Sequence, residues 1–390
     1  MTIPLSVLDL VPIASGSGPA EALARSIDLA RRAEALGYRR YWLAEHHLNP
    51  GVAGTAPAIV IALLANATER IRLGSGGVQM GHRTPLSVVE EFGLLDAAFP
   101  GRIDLGLGRS GGRNFLKKGG GGPPSGEQRD GGTRIVDGLR IPPRYSPAKL
   151  AGSPRFKANV RLLQQPGAET PPYDEQVGDL LALLESGYRS PEGPVLHAVP
   201  GEGASVEVWI LGSSAGESAT AAGERGLRFA ANYHVSPGTV LEAVEGYRSA
   251  FRPSAWLDRP YVSVSADVVV ADDDRTAGQL AAGYGLWVRS IRTAEGAIPY
   301  PSAEEVAAHV WTDEDRALVA DRVETQFVGR PATVVEQLEH LQAATGADEL
   351  VVTTMTHDHA DRVRSYELLA DAWAVRAGTR SAGRTTVGAR

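Results

Sequence analysis

The chain has no cysteine. Disulfides, thiolate metal sites and a cysteine nucleophile are therefore excluded, and the absence fits a reducing compartment. A strong excess of one charge is lacking too. The 39 basic and 46 acidic residues are interspersed and leave a net charge of −7, with no basic stripe for nucleic acid or an anionic membrane surface. No apolar run approaches the roughly 20 residues of a membrane-spanning helix. The opening MTIPLSVLDL carries neither a charged leader nor a long apolar core, so a cytoplasmic location is expected. No repeat of fixed period is present. What remains is 390 residues, 43% of them apolar, enough for one large α/β domain or two smaller ones.

Two stretches organise the rest. RIRLGSGGVQMGHRTP and GRIDLGLGRSGG each open as an apolar strand and break into glycines at the carboxyl end, the second leaving Arg109 at its mouth. Two such strands with a helix between them read as consecutive units of a parallel sheet, whose ligand site lies at the carboxyl ends of its strands. The alternation extends along the chain. Strands are predicted at 5–10, 40–45, 71–78, 103–107, 206–211, 229–232, 262–270 and 348–353. Helices are predicted at 20–36 (closed by Gly37), 55–67, 86–99, 174–185, up to Arg225, 237–251, 275–292, 303–310, 332–345 and 360–376. Eight β–α units favour a closed (β/α)8 TIM barrel over an open doubly wound sheet. A long insertion at 111–172, rich in Gly, Pro, Arg and Lys, follows strand 4, and the seventh connection is extended. Residues 1–376 then form a single domain, with the insertion expected to include a closing lid and 377–390 to be a disordered tail.

A barrel brings Asp9, Glu45-His46-His47, Gly76-Gly77, Arg109-Ser110, Gly212 to Gly216, Tyr233-His234 and Thr353 to His357 to one rim. In VWILGSSAG, small residues before a helix let backbone N–H groups face an anion, although a plain helix cap by Ser213 or Ser214 explains them equally. Arg109 offers a fork for the same anion, or an ion pair with a rim carboxylate. Gly76-Gly77 reads as a strand bulge or as bare backbone against a flat ligand. The GxGxxG spacing from Gly106 to Gly111 lacks the following helix that a dinucleotide fold requires. Adjacent strand residues face opposite ways, so at most one of His46 and His47 faces the mouth, as an acid–base group or a structural histidine. A metal would need His357 and His359 as well; Asp358 between them reads as a helix cap, and no metal is expected. Leu8, Trp42, Met80 and Trp287 suggest a partly apolar pocket.

Taken together, YWLAEHH, GSGGVQMGHRTP, LLDAAFPGRIDLGLGRSGG, VWILGSSAG and FVGRPATVVEQL resemble the bacterial luciferase-like flavin-dependent monooxygenases over about residues 3–112 and 174–375. The resemblance implies a homodimeric (β/α)8 barrel binding reduced FMN at the strand ends, using O2 on a small-molecule substrate, and supplied by a separate flavin reductase. It implies proton handling by His46 and a non-prolyl cis peptide at Gly76-Gly77, beside Val78, against the flavin ring. It also implies a phosphate site of Arg109 and Ser110 with Leu211, Gly212, Ser213, Ser214, Ala215 and Gly216, and a pocket lined by Tyr233 and His234. The cysteine that luciferase carries before the arginine is Gly108 here, so light emission is not implied. The alternatives are an F420-dependent oxidoreductase and a non-catalytic flavin-binding subunit. A flavin-free aldolase-type barrel is disfavoured because no lysine stands at a predicted strand end.

Overall fold

The computed structural model describes residues 3–109, 132–146 and 152–378. Eight parallel strands follow one another around a closed barrel: β1 (Leu5–Asp9), β2 (Arg40–Leu43), β3 (Arg72–Ser75), β4 (Ile103–Gly108), β5 (Glu207–Gly212), β6 (Arg228–Asn232), β7 (Val262–Val270) and β8 (Glu349–Thr353). Neighbours in sequence pair in space. Two registers close the ring, β8 on β1 (Leu350 opposite Leu5) and β4 on β5 (Leu107 opposite Ile210). Helices α1 (Pro19–Leu36), α2 (Pro57–Ala65), α3 (Pro85–Ala98), α4 (Tyr173–Leu184), α5 (Glu217–Glu224), α6 (Val240–Ala250), α7 (Pro331–Thr345) and α8 (His359–Arg376) pack outside. Local chemistry sets several ends. Pro19, Pro57, Pro85 and Pro331 occupy first helical positions, where the missing N–H costs nothing, and Gly37 closes α1 in the left-handed region (φ 85°).

The two-residue period of the strands divides the core. Val7, Tyr41, Leu43, Leu105, Ile210, Val264 and Leu350 face outward into the layer beneath the helices. The alternate residues Leu8, Trp42, Trp209, Ala230 and Val351 fill the barrel. Below them, at the amino-terminal end, lies a buried charge cluster. Arg40 donates from Nη1 to Asp104 (2.7 Å) and from Nε to Glu349 (2.8 Å), and its guanidinium sits 4.8 Å from the Trp209 ring. Ser6 donates to the same Glu349 oxygen at 2.5 Å. The floor is thus sealed by paired charges, and open space is confined to the carboxyl-terminal half.

Two departures from the expected elements bear on the site. The third strand is not continuous over 71–78; it stops at Ser75 and resumes at Val78–Gln79, which pairs with the end of β4. The segment 111–172, which shows no period in sequence, contains a hairpin (Arg134–Val136 with Leu139–Ile141) and a helix (Pro154–Leu163) among its described residues. Three-residue strands carry too little alternation to be read, and the helix has only Val160 fully buried. Of the segment expected to include the lid, 111–131 and 147–151 lie outside the described residues, as does the expected tail from 379 on. The seventh connection is extended, as expected, by helices Asp274–Ala281, Gly283–Arg292, Ala303–Ala308 and Asp313–Val323 and by a short strand, Phe327–Gly329, that prolongs the sheet beside β7. Its helices roof the barrel mouth.

Candidate active site

The mouth encloses a cavity of about 300 Å3. Leu8, Trp42, Leu211 and Val351 form its floor and wall, while Trp287 and Ile291 descend from the seventh connection as its roof. Polar groups converge on this apolar chamber. Among the described residues, His46 Nδ1, Asn232 Oδ1, Ser263 Oγ, Thr353 Oγ1 and Trp287 Nε1 are buried without a hydrogen-bond partner, and all five residues line it. Buried polar atoms are normally satisfied, so five that find no protein partner around one hollow make it the candidate binding site.

One wall is bare backbone. The Gly76-Gly77 peptide is cis, and Gly76 lines the cavity. A Cβ on Gly77 would lie 2.7 Å from the Gly106 carbonyl oxygen, which is backbone, so that position excludes a side chain; one on Gly76 would lie 2.7 Å from Leu8 Cδ1 and require that side chain to shift. Ser75 Oγ donates to the Gly106 carbonyl and accepts from the Gly106 N–H, each at 2.9 Å, locking the break in β3 against β4.

Burial shifts the titratable groups around the chamber and holds its two histidines neutral. His234 hydrogen-bonds through Nδ1 to Ser265 Oγ (2.6 Å); burial, with Arg322 and His46 nearby, pushes its pKa down to about 3. His46 is lowered by burial and by the neighbouring His47. Asp267 is pushed up to about 6 by burial, against the opposing pull of Arg322, whose Nη2 lies 3.5 Å away, and a hydrogen bond donated by Tyr284. Among the lining groups, Arg322 keeps its positive charge.

At the edge of the mouth, the pairing of Gly108 with Leu211 sets Arg109 beside the turn from β5 into α5. Gly216 is the N-cap of α5 and makes no side-chain cap, so the simple capping role for Ser213 or Ser214 does not occur. Arg109 Nη1 pairs with Glu217 Oε2 at 2.7 Å and remains 40% exposed. A second cavity, of about 310 Å3, opens here between Ser213, Ser214, Thr239, Arg144 and Arg292, and shares Val235, Ile291 and Arg322 with the first. The two chambers adjoin through these shared residues, the inner one mainly apolar and the outer one rich in hydroxyl and guanidinium groups.

The structure therefore brings His46, Gly76, Gly77, Arg109, Leu211, Gly212, Ser213, Ser214, Ala215 and Gly216 to one rim. Ser110 lies outside the described residues. Several other expectations need correction. Tyr233 does not line the pocket: its ring packs on Phe327 and its hydroxyl donates to the Arg140 carbonyl (2.6 Å), tying β6 to the hairpin. Val78 and Met80 are buried in the outer layer. Asp9 faces outward and is consumed by Arg362 (2.7 Å), Ser26 and Tyr41. His357 and His359 are spent on the Ser15 carbonyl and on Asp28, while Asp358 occupies the α8 N-cap position without capping the helix through its side chain, which pairs with His357 Nδ1 instead (3.3 Å). Sequence reading missed Asn232, Ser263, Ser265, Asp267 and Arg322. The signal for three of them was present: VSVSADVVV places Ser263, Ser265 and Asp267 at alternate positions of an otherwise apolar strand, hence on one face.

A closed parallel barrel with a ligand-sized chamber at its carboxyl-terminal mouth defines the class: a (β/α)8 barrel enzyme scaffold. The chain belongs to the luciferase-like monooxygenase family, whose pattern it matches over residues 3–349. It is 37% identical to the Bacillus subtilis protein YvbT over 95% of this chain and 96% of that one. It is 35% identical to an Escherichia coli luciferase-like monooxygenase over 95% and 97%. The crystal structure of apo-MsnO8 superposes with a TM-score of 0.74 at 32% identity, covering 95% of this chain and 98% of that one. Two more distant structures share the fold: an FMN complex of the oxygenating constituent of 3,6-diketocamphane monooxygenase from Pseudomonas putida (TM-score 0.59, 18% identity, 96% and 99% covered), and an F420-dependent secondary alcohol dehydrogenase bound to an F420–acetone adduct (0.58, 15%, 98% and 100%).

Proposed function

We propose that this chain is a monooxygenase that uses reduced FMN and O2 on a small organic substrate, with the reduced flavin delivered by a separate reductase. The observation that carries the reading is the pair of adjoining chambers: a bare glycine wall in an apolar chamber, next to an anion-suited mouth. The residues present fit the cofactor. Gly76 and Gly77 would let a flat ring lie against backbone. Arg109, the Ser213 and Ser214 hydroxyls and the free N–H groups opening α5 would hold a phosphate, at the helix end where the macrodipole favours negative charge. The FMN-bound relative by fold supports the choice of cofactor by analogy alone. When bound, reduced flavin supplies two electrons to O2, so that one oxygen atom enters the substrate and the other leaves as water.

The protein's own contribution is exclusion of water and placement of a proton carrier. Trp287 and Ile291 close the chamber, keeping bulk water from the reacting centre. His46, neutral and with Nδ1 unpaired, stands ready to accept a proton there, while its backbone N–H is fixed to the Gly54 carbonyl at 2.7 Å. His234 is oriented by Ser265 and is too weak a base to carry charge near neutrality.

The test is to add reduced FMN and, separately, reduced and oxidised F420 to the purified chain. Binding of FMN with oxygen consumption above that of free flavin is the expected result. Bleaching of F420 without oxygen consumption would assign the chain to the F420-dependent oxidoreductases that share the fold. Flavin binding with no turnover on any substrate panel would instead favour a non-catalytic subunit.

A further inference from the structure

The two histidines of the Glu45-His46-His47 run face opposite ways, and only one of them serves the chamber. Glu45 and His47, two residues apart at the end of β2, project to the outer side of the rim. There a third residue joins them from far along the chain. His82 sits in the short loop between Val78–Gln79 and α3. Glu45 Oε1 lies 2.7 Å from His47 Nε2 and 3.2 Å from His82 Nε2, and one ligand atom from each of the three residues falls within 4.8 Å of the others. The two imidazole rings stand edge to face, their centroids 5.0 Å apart.

From this convergence we propose that Glu45, His47 and His82 form a binding site for a divalent transition-metal ion of the zinc type, separate from the chamber and independent of the flavin reading. Two imidazole nitrogens and one carboxylate oxygen make a borderline donor set that suits Zn2+, Co2+ or Ni2+ and disfavours Mg2+ or Ca2+. The spacing is close to what the ion needs. Tetrahedral zinc with ligands at about 2.0–2.1 Å holds its donor atoms about 3.3 Å apart, so the Glu45–His47 separation must open by about 0.6 Å and the Glu45–His82 one by about 0.1 Å, while the two imidazole nitrogens, within 4.8 Å of each other, close to the same span.

The surroundings are those of a supported site. The Glu45 side chain is fully buried, and its second oxygen, Oε2, accepts from the Gln79 backbone N–H at 2.9 Å, which leaves Oε1 to face the histidines. Gln79 Nε2 donates in return to the Glu45 carbonyl at 2.7 Å. The residue after His82 is held as well: Arg83 Nη2 bonds both oxygens of Glu91 (2.6 and 2.5 Å), anchoring the His82 loop to α3. His47 and His82 are 21% and 12% exposed, so solvent reaches the cluster and a water can supply a fourth ligand. Among the described residues this is the one such grouping. An ion there would bridge the loops after the second and third strands. The peptide between its ligands carries His46, which faces the opposite way into the chamber.

The experiment uses the full, tag-free chain, stripped with a chelator and dialysed. Zn2+ is titrated against a chromophoric chelator, and Co2+ is added in parallel to read the visible absorption of a four-coordinate ion. One equivalent per chain is expected, with a melting temperature that rises with zinc concentration. His47→Ala and His82→Ala should each weaken binding at least about tenfold, and the double variant should abolish it. His82→Gln keeps the side-chain volume should the alanine variant fail to fold. His197→Ala, which alters an exposed histidine paired with Glu202 elsewhere, should leave the equivalent intact. Substoichiometric uptake by the unmodified chain, or uptake that persists in the double variant, overturns the site and leaves a hydrogen-bonded Glu–His–His cluster. Flavin binding failing or succeeding has no bearing on either outcome.

Discussion

Single side chains separate the roles most sharply. Arg109 is paired with Glu217 at the edge of the mouth, so an anion binding there must displace or share that carboxylate. Arg109→Ala is expected to weaken FMN binding by about ten- to a hundredfold, the worth of a charge-assisted hydrogen bond, while riboflavin, which lacks the phosphate, binds as before. Equal losses for both ligands, measured by fluorescence titration, would remove Arg109 from the phosphate site. His46→Ala should lower kcat by about 10² to 10⁴ with FMN affinity within a few-fold, as expected for a proton carrier that does not bear the cofactor's weight. His234 gives a stability signature. Its folded pKa, near 3, lies below the ordinary histidine value of about 6.5, so the unfolded chain binds more protons between those limits. Stability from this group is complete above pH 6.5 and is lost as pH falls, by about 2 kcal/mol on reaching pH 5. His234→Asn should flatten that part of the denaturation profile; an unchanged slope would mean that His234 is hydrated or paired in solution.

At the level of elements, legibility followed burial. Strand β7 was readable to its ends because all nine residues are buried and mostly β-branched, and α1 because a left-handed glycine closes it. The helix Asp313–Val323 was not: it buries only Val319 and Arg322, so its apolar period is nearly absent. That gap hid Arg322, which reaches the chamber from that helix. His82 escaped for a different reason. Its loop has no pattern of its own, and only the closing of β3 onto β2 places it beside Glu45. Gly106 shows how tightly that junction is built. A Cβ there would lie 2.1 Å from the Ser75 carbonyl oxygen, which is backbone and cannot move aside alone. Gly106→Ala should therefore cost about 1–3 kcal/mol or more in chemical denaturation, and a variant as stable as the parent would show that the break in β3 can be rebuilt.

For the molecule as a whole, the outer surface carries a feature that a monomer does not explain. Helix α2, PAIVIALLA, contains no polar side chain, yet Ile59 is 66% and Leu63 44% exposed on its outward face. The neighbouring α3 adds Leu86 and Leu94, the latter 62% exposed. A helix apolar all round belongs in a core, and such residues on two adjacent helices form a patch of the kind that marks an interface. The family resemblance implies a homodimer, and a second copy of this chain, offering the same two helices, is the occupant that would cover this face; an isologous contact would bury both stripes at once. Ile59→Asp with Leu94→Asp is expected to yield a monomer by sedimentation, since each protomer would then bury two unpaired carboxylates. Neither residue belongs to the chamber, so the monomer should still bind FMN. A double variant that sediments unchanged from the parent would place the contact elsewhere. A parent chain that is already monomeric at micromolar concentration would leave this apolar face without the partner assigned to it.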